Sequence, residues 1–239
     1  LIPNAAIFHY DTEGSTEVPR IKVLTRKTQA ELDKYYRLMN DNKVNTENLY
    51  TIIDMVATKK EECRDQIMVT VTDRNGAKHE VLPPTVILID SIAALNTSKE
   101  NDADDLPGNM NAAHNAKANA AWIRKASIRI RGLNIHIIYI NHIQKKISTS
   151  IFPEAAAINY LKQDEHLPGG ATIPYYTDFL LKVEGGKKLE ADSDYGIKGF
   201  FVKSTVVKSR TAPAGITYDM IYNQNEGFSN HLTNYMLLK

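Results

Sequence analysis

The stretch PTVILIDSIAAL, Pro84 to Leu95, drives four successive aliphatic residues into an aspartate and then returns to small and apolar ones. A continuous apolar run such as Val86 to Ile89 predicts a strand covered on both faces, as in a parallel sheet with helices above and below. A lone carboxylate at the end of such a strand is costly unless it is paired, hydrogen-bonded or working on a cation. Ligands of open α/β sheets bind beyond the carboxyl ends of the strands, and Asp90 stands at that end.

The pattern recurs twice. AAIFHYD, residues 5–11, is followed by a second acid at Glu13, and LNIHIIYINH ends in Asn141-His142. Between the strands, 29–39 and 47–64 carry apolar residues at helical spacing, and an alanine-rich helix is expected over 112–131. QIMVTVTDRNGAKHEVL alternates on both sides of Asn75-Gly76, which predicts an inserted hairpin over 66–82 with a tight two-residue turn. After an irregular stretch over 143–170, the chain returns to strands in DFLLKVE, GFFVKSTVVKSR and GITYDMIYN, with EGGKKLE read as a hairpin turn. This order predicts one α/β body over residues 1–239, a mainly parallel sheet flanked by helices with an antiparallel extension.

Composition narrows the class. With 43 % hydrophobic residues in 239, the chain can bury a real core. Its net charge of +1 means that any nucleic-acid binding must come from local patches. One cysteine, Cys63, excludes an internal disulfide and fits a reducing compartment. No apolar run approaches the roughly 18–20 residues that cross a bilayer, so a cytoplasmic chain without membrane contact is expected. The opening LIPNAAIFHYD has no initiator methionine and enters a strand almost at once, so Leu1 reads as a cut. His9, His79, His114 and His136 lack paired ligand spacing, and no structural zinc is expected.

Glu13, Asp90 and Asn141-His142 suit a nucleotide hydrolase. A glutamate can polarise water, an aspartate followed by a hydroxyl residue can hold the water shell of magnesium, and an amide or imidazole can sense a terminal phosphate. Taken singly, each could instead cap a turn after a strand. The phosphate loop G-x-x-x-x-G-K-[ST] has no match in the sequence. Either the protein is not a nucleotide hydrolase, or that loop lies upstream of Leu1.

VILIDSIAAL, then IIYINHIQKKI, PGGATIPYYTDFLLKVE and VKSTVVKSR, in that order, resemble the ATPase core of RecA-type recombinases, and most of all the phage UvsX-like branch. The resemblance implies a RecA-like P-loop core whose phosphate-loop part is absent from this chain. It implies ATP and Mg2+ as cofactors, filaments on single-stranded DNA, and strand exchange with double-stranded DNA in recombination and repair. By the same resemblance Glu13 activates water, Asp90 with Ser91 forms the magnesium-side pair, and Asn141-His142 couples the terminal phosphate to a DNA loop. Lys208 and Arg210 match positions that reach the ATP of a neighbouring subunit; without the resemblance they read as a solvated strand face.

DNA contact falls to two loops. The one over 98–112 is acidic (ENDADD), which argues against phosphate contact, while Lys117 and Arg124, seven apart on a helix, either meet the DNA backbone or are simply solvated. The other begins at Lys145, Lys146 and Ile147 and ends at Gly169-Gly170, whose amides can approach phosphates. A hexameric helicase, a RadA-like repair ATPase and a non-hydrolysing DNA-binding accessory protein are the competing readings.

Overall fold

The computed structural model describes residues 2–40, 45–101, 109–145, 161, 165–168, 172–189 and 198–238. They fall into two compact units: residues 1–16 with 28–176, and residues 17–27 with 177–239.

The first unit is built on a four-stranded parallel sheet. In chain order its strands are β1 (Ala6–Asp11), β2 (Tyr36–Met39), β5 (Thr85–Asp90) and β6 (Ile135–Tyr139), and in space they run β2-β1-β5-β6. Between β2 and β5 come α3 (Thr46–Glu62), α4 (Arg64–Ile67) and a hairpin of β3 (Val69–Thr72) with β4 (Lys78–Val81). Asn45 starts α3 by accepting a hydrogen bond from the Asn48 amide at 2.8 Å. Leu49, Ile53 and Ala57 follow at four-residue steps and are fully buried. After β5 come a single 3₁₀ turn (Ile92–Ala94), α5 (Ser98–Asn101) and α6 (Asn109–Arg129). Trp122, Ile123 and Ala126 of α6 join Leu49 and Ile53 of α3 in one cluster with Tyr10, Ile87 and Ile89 of the sheet. Trp122 is 3 % exposed, with its indole N–H donated to Asn119 Oδ1, which fixes it as packing rather than a stacking surface.

Several expectations for this unit change. The apolar spacing over 29–39 continues in register with a helix, yet the helix α2 (Gln29–Tyr35) stops and Tyr36–Met39 become β2. Four parallel register positions beside Ile7–Tyr10 outweigh one more helical turn. The hairpin loop is five residues, not two. Asp73 gathers it by accepting from the amides of Asn75 and Ala77, and Gly76 alone takes positive φ (84°). β5 alternates between buried and half-buried positions rather than being wholly enclosed, and β6 exposes His136 and Ile138. Within 143–170, β7 (Gln144–Lys145) pairs antiparallel with β8 (Glu165–His166), so the stretch read as irregular is pinched near both ends. Lys146, Ile147, Gly169 and Gly170 lie outside the described residues. A short helix α7 (Thr172–Tyr176) closes the unit, burying Ile173 and leaving Tyr175 74 % exposed.

The second unit is an antiparallel sheet in the order β12-β11-β10-β9, made of β9 (Phe179–Leu189), β10 (Gly199–Ser209), β11 (Thr217–Asn223) and β12 (Gly227–Phe228). The helices α1 (Val18–Thr25) and α8 (Asn230–Leu237) belong to it, and Arg20 of α1 donates to the Tyr222 hydroxyl at 2.9 Å. The glycine pair of EGGKKLE is no turn: Gly185 and Gly186 lie inside β9. A Cβ on Gly186 would come 2.7 Å from the Phe201 carbonyl oxygen, next to a register shift between Phe200 and Val202. The glycine serves a bulged, close strand approach there.

Candidate functional site

The parallel order places β1, β5 and β6 side by side, so their carboxyl ends open onto one edge. Asp11 and Asp90 sit abreast as register partners at that edge. The loop after β1 and the turn after β5 are stitched together through Thr12. Its amide donates to the Asp90 carbonyl at 2.8 Å, and its hydroxyl both accepts from the Ser91 amide (2.7 Å) and donates to the Ser91 carbonyl (2.8 Å). The Asp90–Ser91 peptide is cis.

Two of the three strand ends then meet on Glu13. The buried Ser91 hydroxyl donates to Glu13 Oε1 at 2.6 Å, and His142 Nε2 lies 3.1 Å from the same oxygen. The Ser91 bond, helped by His142, holds the Glu13 carboxyl below its ordinary range, so it stays an ionised acceptor. Asn141 points elsewhere: its amide donates to the Pro168 carbonyl at 2.9 Å while its side-chain oxygen receives the His142 amide. The β6 end is thereby tied to the chain that leaves the 143–170 segment.

Asp11 and Asp90 are both shielded but behave oppositely. Asp11 is 2 % exposed, and burial alone would push it up. Backbone N–H groups of Thr16 (2.7 Å) and Glu13 (3.2 Å) more than offset this and hold its carboxyl below the usual range. It is the brace of the Glu13 loop. Burial, then the Glu13 charge, pushes Asp90 above the ordinary carboxylate range. Among the described residues its carboxylate receives no hydrogen bond, which leaves its oxygens open to a further partner. A hydrated Mg2+ held by one or two carboxylates plus substrate phosphates fits that donor set.

His9 was passed over in sequence because it has no ligand spacing. It is 5 % exposed on β1, takes Tyr36 Oη at 2.7 Å on Nδ1, and has a buried Nε2 without a partner among the described residues. Burial lowers its pKa, with Asp11 and Asp90 pulling the other way. Thr12 was equally invisible, since its partner lies 79 residues away.

Lys117 and Arg124 are exposed on α6, and Lys145 is exposed on β7. In the second unit Lys208 is half-buried on β10, just after a register shift between Val206 and Lys208. Arg210 lies just past β10, with Nε 2.8 Å from Asp178 Oδ1.

The family model described as the RecA N-terminal domain matches residues 80–229. Protein RecA of Francisella tularensis subsp. novicida (strain U112) and of subsp. tularensis (strain SCHU S4 / Schu 4) are each 27 % identical over 144 residues, covering 60 % of this chain. The alignment spans 36 % of those relatives, about a third of their length. The crystal structure of the RadB recombinase superposes with a TM-score of 0.50 at 16 % identity, covering 93 % of this chain and 77 % of that one. That likeness carries the fold.

Proposed function

This chain belongs to the RecA N-terminal domain family, and from that premise we propose that the protein is a DNA-dependent ATPase of homologous recombination, of the phage UvsX-like kind, that assembles on single-stranded DNA and exchanges strands with a duplex. The observation that carries the reading is the convergence of Glu13, Asp90-Ser91 and His142 at the carboxyl ends of three adjacent parallel strands.

In this reading Glu13, kept ionised by Ser91 and His142, orients and deprotonates the attacking water. Asp90, with Ser91 beside it, would hold the water shell of a magnesium ion, which when bound supplies charge neutralisation at the ATP phosphates. His142 sits on Glu13 at one end, and Asn141 is tied to Pro168 at the other. A phosphate that drew His142 away would therefore disturb both the water-activating carboxylate and the segment leading from the DNA loop. Lys208 and Arg210 act on ATP held by a neighbouring subunit. An exposed ion pair such as Arg210–Asp178 is worth only about 0–1 kcal/mol and yields readily to a phosphate. Lys117, Arg124 and Lys145 contact the DNA backbone, together with Lys146, Ile147, Gly169 and Gly170.

The test is ATP hydrolysis by the intact protein with and without single-stranded DNA. Turnover that rises with DNA is expected. A folded protein that binds DNA without turnover would replace this reading with a non-hydrolysing accessory role, and rings instead of helical filaments in electron micrographs would move it to a helicase.

A further inference from the structure

We propose that Thr12 is a positioning residue: its hydroxyl clamps both backbone groups of Ser91 and so keeps the Ser91 side chain aimed at Glu13. The inference rests on the reading of Glu13 as the group that activates water, and it extends that reading to a residue with no acid, base or metal chemistry of its own.

Ser91 has 0 % exposure, so its amide and carbonyl must find partners inside the protein. Both are met by one atom, Thr12 Oγ1, at 2.7 and 2.8 Å. The Thr12 amide adds a third bond, to the Asp90 carbonyl. Three bonds from one residue thus fix the turn in which the chain leaves β5. That turn presents the hydroxyl lying 2.6 Å from Glu13 Oε1. Thr12 is also the residue immediately before Glu13, so the same clamp fixes both ends of the Ser91–Glu13 bond. The loop beyond is closed by the Asp11 carboxylate on the Glu13 and Thr16 amides. Threonine suits this place because its hydroxyl donates and accepts at once while its branched Cβ restricts χ1.

A hydroxyl with this duty predicts a sharp difference between two small substitutions. Thr12→Val keeps the shape and removes both side-chain bonds, leaving the Ser91 amide buried and unmet. Thr12→Ser keeps the hydroxyl. Both variants are made in the intact protein and read two ways. By amide hydrogen exchange, the Ser91 N–H of Thr12→Val should exchange about tenfold faster or more, with Ile87 and Ile137 amides little changed and Thr12→Ser close to wild type. In ATP hydrolysis, Thr12→Val should lose about tenfold in kcat with KM within about threefold, and Thr12→Ser should recover most of it.

Unchanged Ser91 exchange in Thr12→Val overturns the clamp. Acceleration shared equally by Ile87 and Ile137 overturns positioning, because Thr12 would then only support the sheet. Loosened Ser91 exchange with wild-type kcat separates the clamp from the reaction and also overturns the proposal. If the wild-type protein shows no hydrolysis at all, the water-activating reading of Glu13 falls with it, and the clamp is decided by the exchange data alone.

Discussion

Glu13 carries two contacts that serve one need. The Ser91 hydroxyl and the His142 imidazole hold it ionised and in place, and an ionised, oriented carboxylate is what water activation requires. Glu13→Gln keeps the size and the Ser91 contact while removing the base. Hydrolysis by the intact protein should fall by about 10²–10⁴-fold with nucleotide affinity retained, measured by steady-state turnover beside equilibrium binding. Lys60 is the other residue whose environment dictates a measurable property. It is 6 % exposed, with Nζ donating to the Pro83 carbonyl (2.5 Å), Thr85 Oγ1 (3.0 Å) and the Asn134 carbonyl (3.3 Å) at the opposite, amino ends of β5 and β6. Burial lowers its pKa from 10.5 to about 8. The folded protein therefore releases this proton before the unfolded chain does. Lys60 costs stability below pH 8, and stability rises as pH climbs from about 8 to 10.5, by up to about 3 kcal/mol. Chemical denaturation across that window should show the rise in wild type and a flatter curve in Lys60→Met. Glu13, Asp90 and His142 were legible in the sequence because each ends an apolar run. Lys60 and Thr12 were not, because an ordinary lysine in a helix and a threonine in a loop acquire meaning only from partners brought by the fold.

Elements tell a similar story through competition between local pattern and pairing. Residues 29–39 satisfy a helical period throughout, and a capping box of Thr28 with Glu31 starts the helix. What ends it is the parallel partner at Ile7–Tyr10, a constraint that no window of neighbouring residues contains. The glycine pair 185–186 misled for the converse reason: glycine marks a turn or a close approach equally well, and only the facing Phe201 carbonyl decides. Gly199 is a stricter case. A Cβ there would stand 2.0 Å from the Tyr222 carbonyl oxygen, a backbone atom that has no room to yield. Gly199→Ala should cost the antiparallel unit about 1–3 kcal/mol or more, seen as a lower denaturation midpoint and faster exchange along β10 and β11. In the parallel unit α3 and α6 are tied by Arg129, which reaches Asp54 (2.6 Å), Glu61 (2.8 Å) and Thr58 (2.8 Å) from a side chain only 23 % exposed. Arg129→Met should lower the urea denaturation midpoint, and a double-mutant cycle with Asp54→Asn should return a favourable coupling between the two helices.

At the scale of the whole molecule, the chain crosses between its two units three times, at 16–17, 27–28 and 176–177 in sequence, with α1 the excursion that joins the late strands. The fold class was readable from the order of apolar runs, because continuous runs and alternating ones specify different sheets. The division into units was not, since α1 lies in sequence beside β1 but belongs with strands beyond residue 177. The proposed role of the basic residues of the second unit is testable at this scale. Lys208→Ala with Arg210→Ala should leave the circular dichroism spectrum and monomer stability near wild type, while DNA-stimulated hydrolysis falls about tenfold or more, as expected of cations that stabilise charge across a subunit boundary. Wild-type stimulation in that double variant would remove both residues from the site.

The sheet order also leaves a mark on how the chain behaves in a tube. Among the described residues β6 has one strand neighbour, β5, and Ile138, on the strand, is 52 % exposed while Ile140, just beyond its end, is 40 % exposed. Branched apolar side chains standing in solvent beside a sheet margin favour the attachment of any extended segment that meets it. Colloidal behaviour, rather than thermal strength, is then the property most exposed to a single change: a lysine at Ile138 would blunt the margin and raise the concentration at which the protein stays monodisperse.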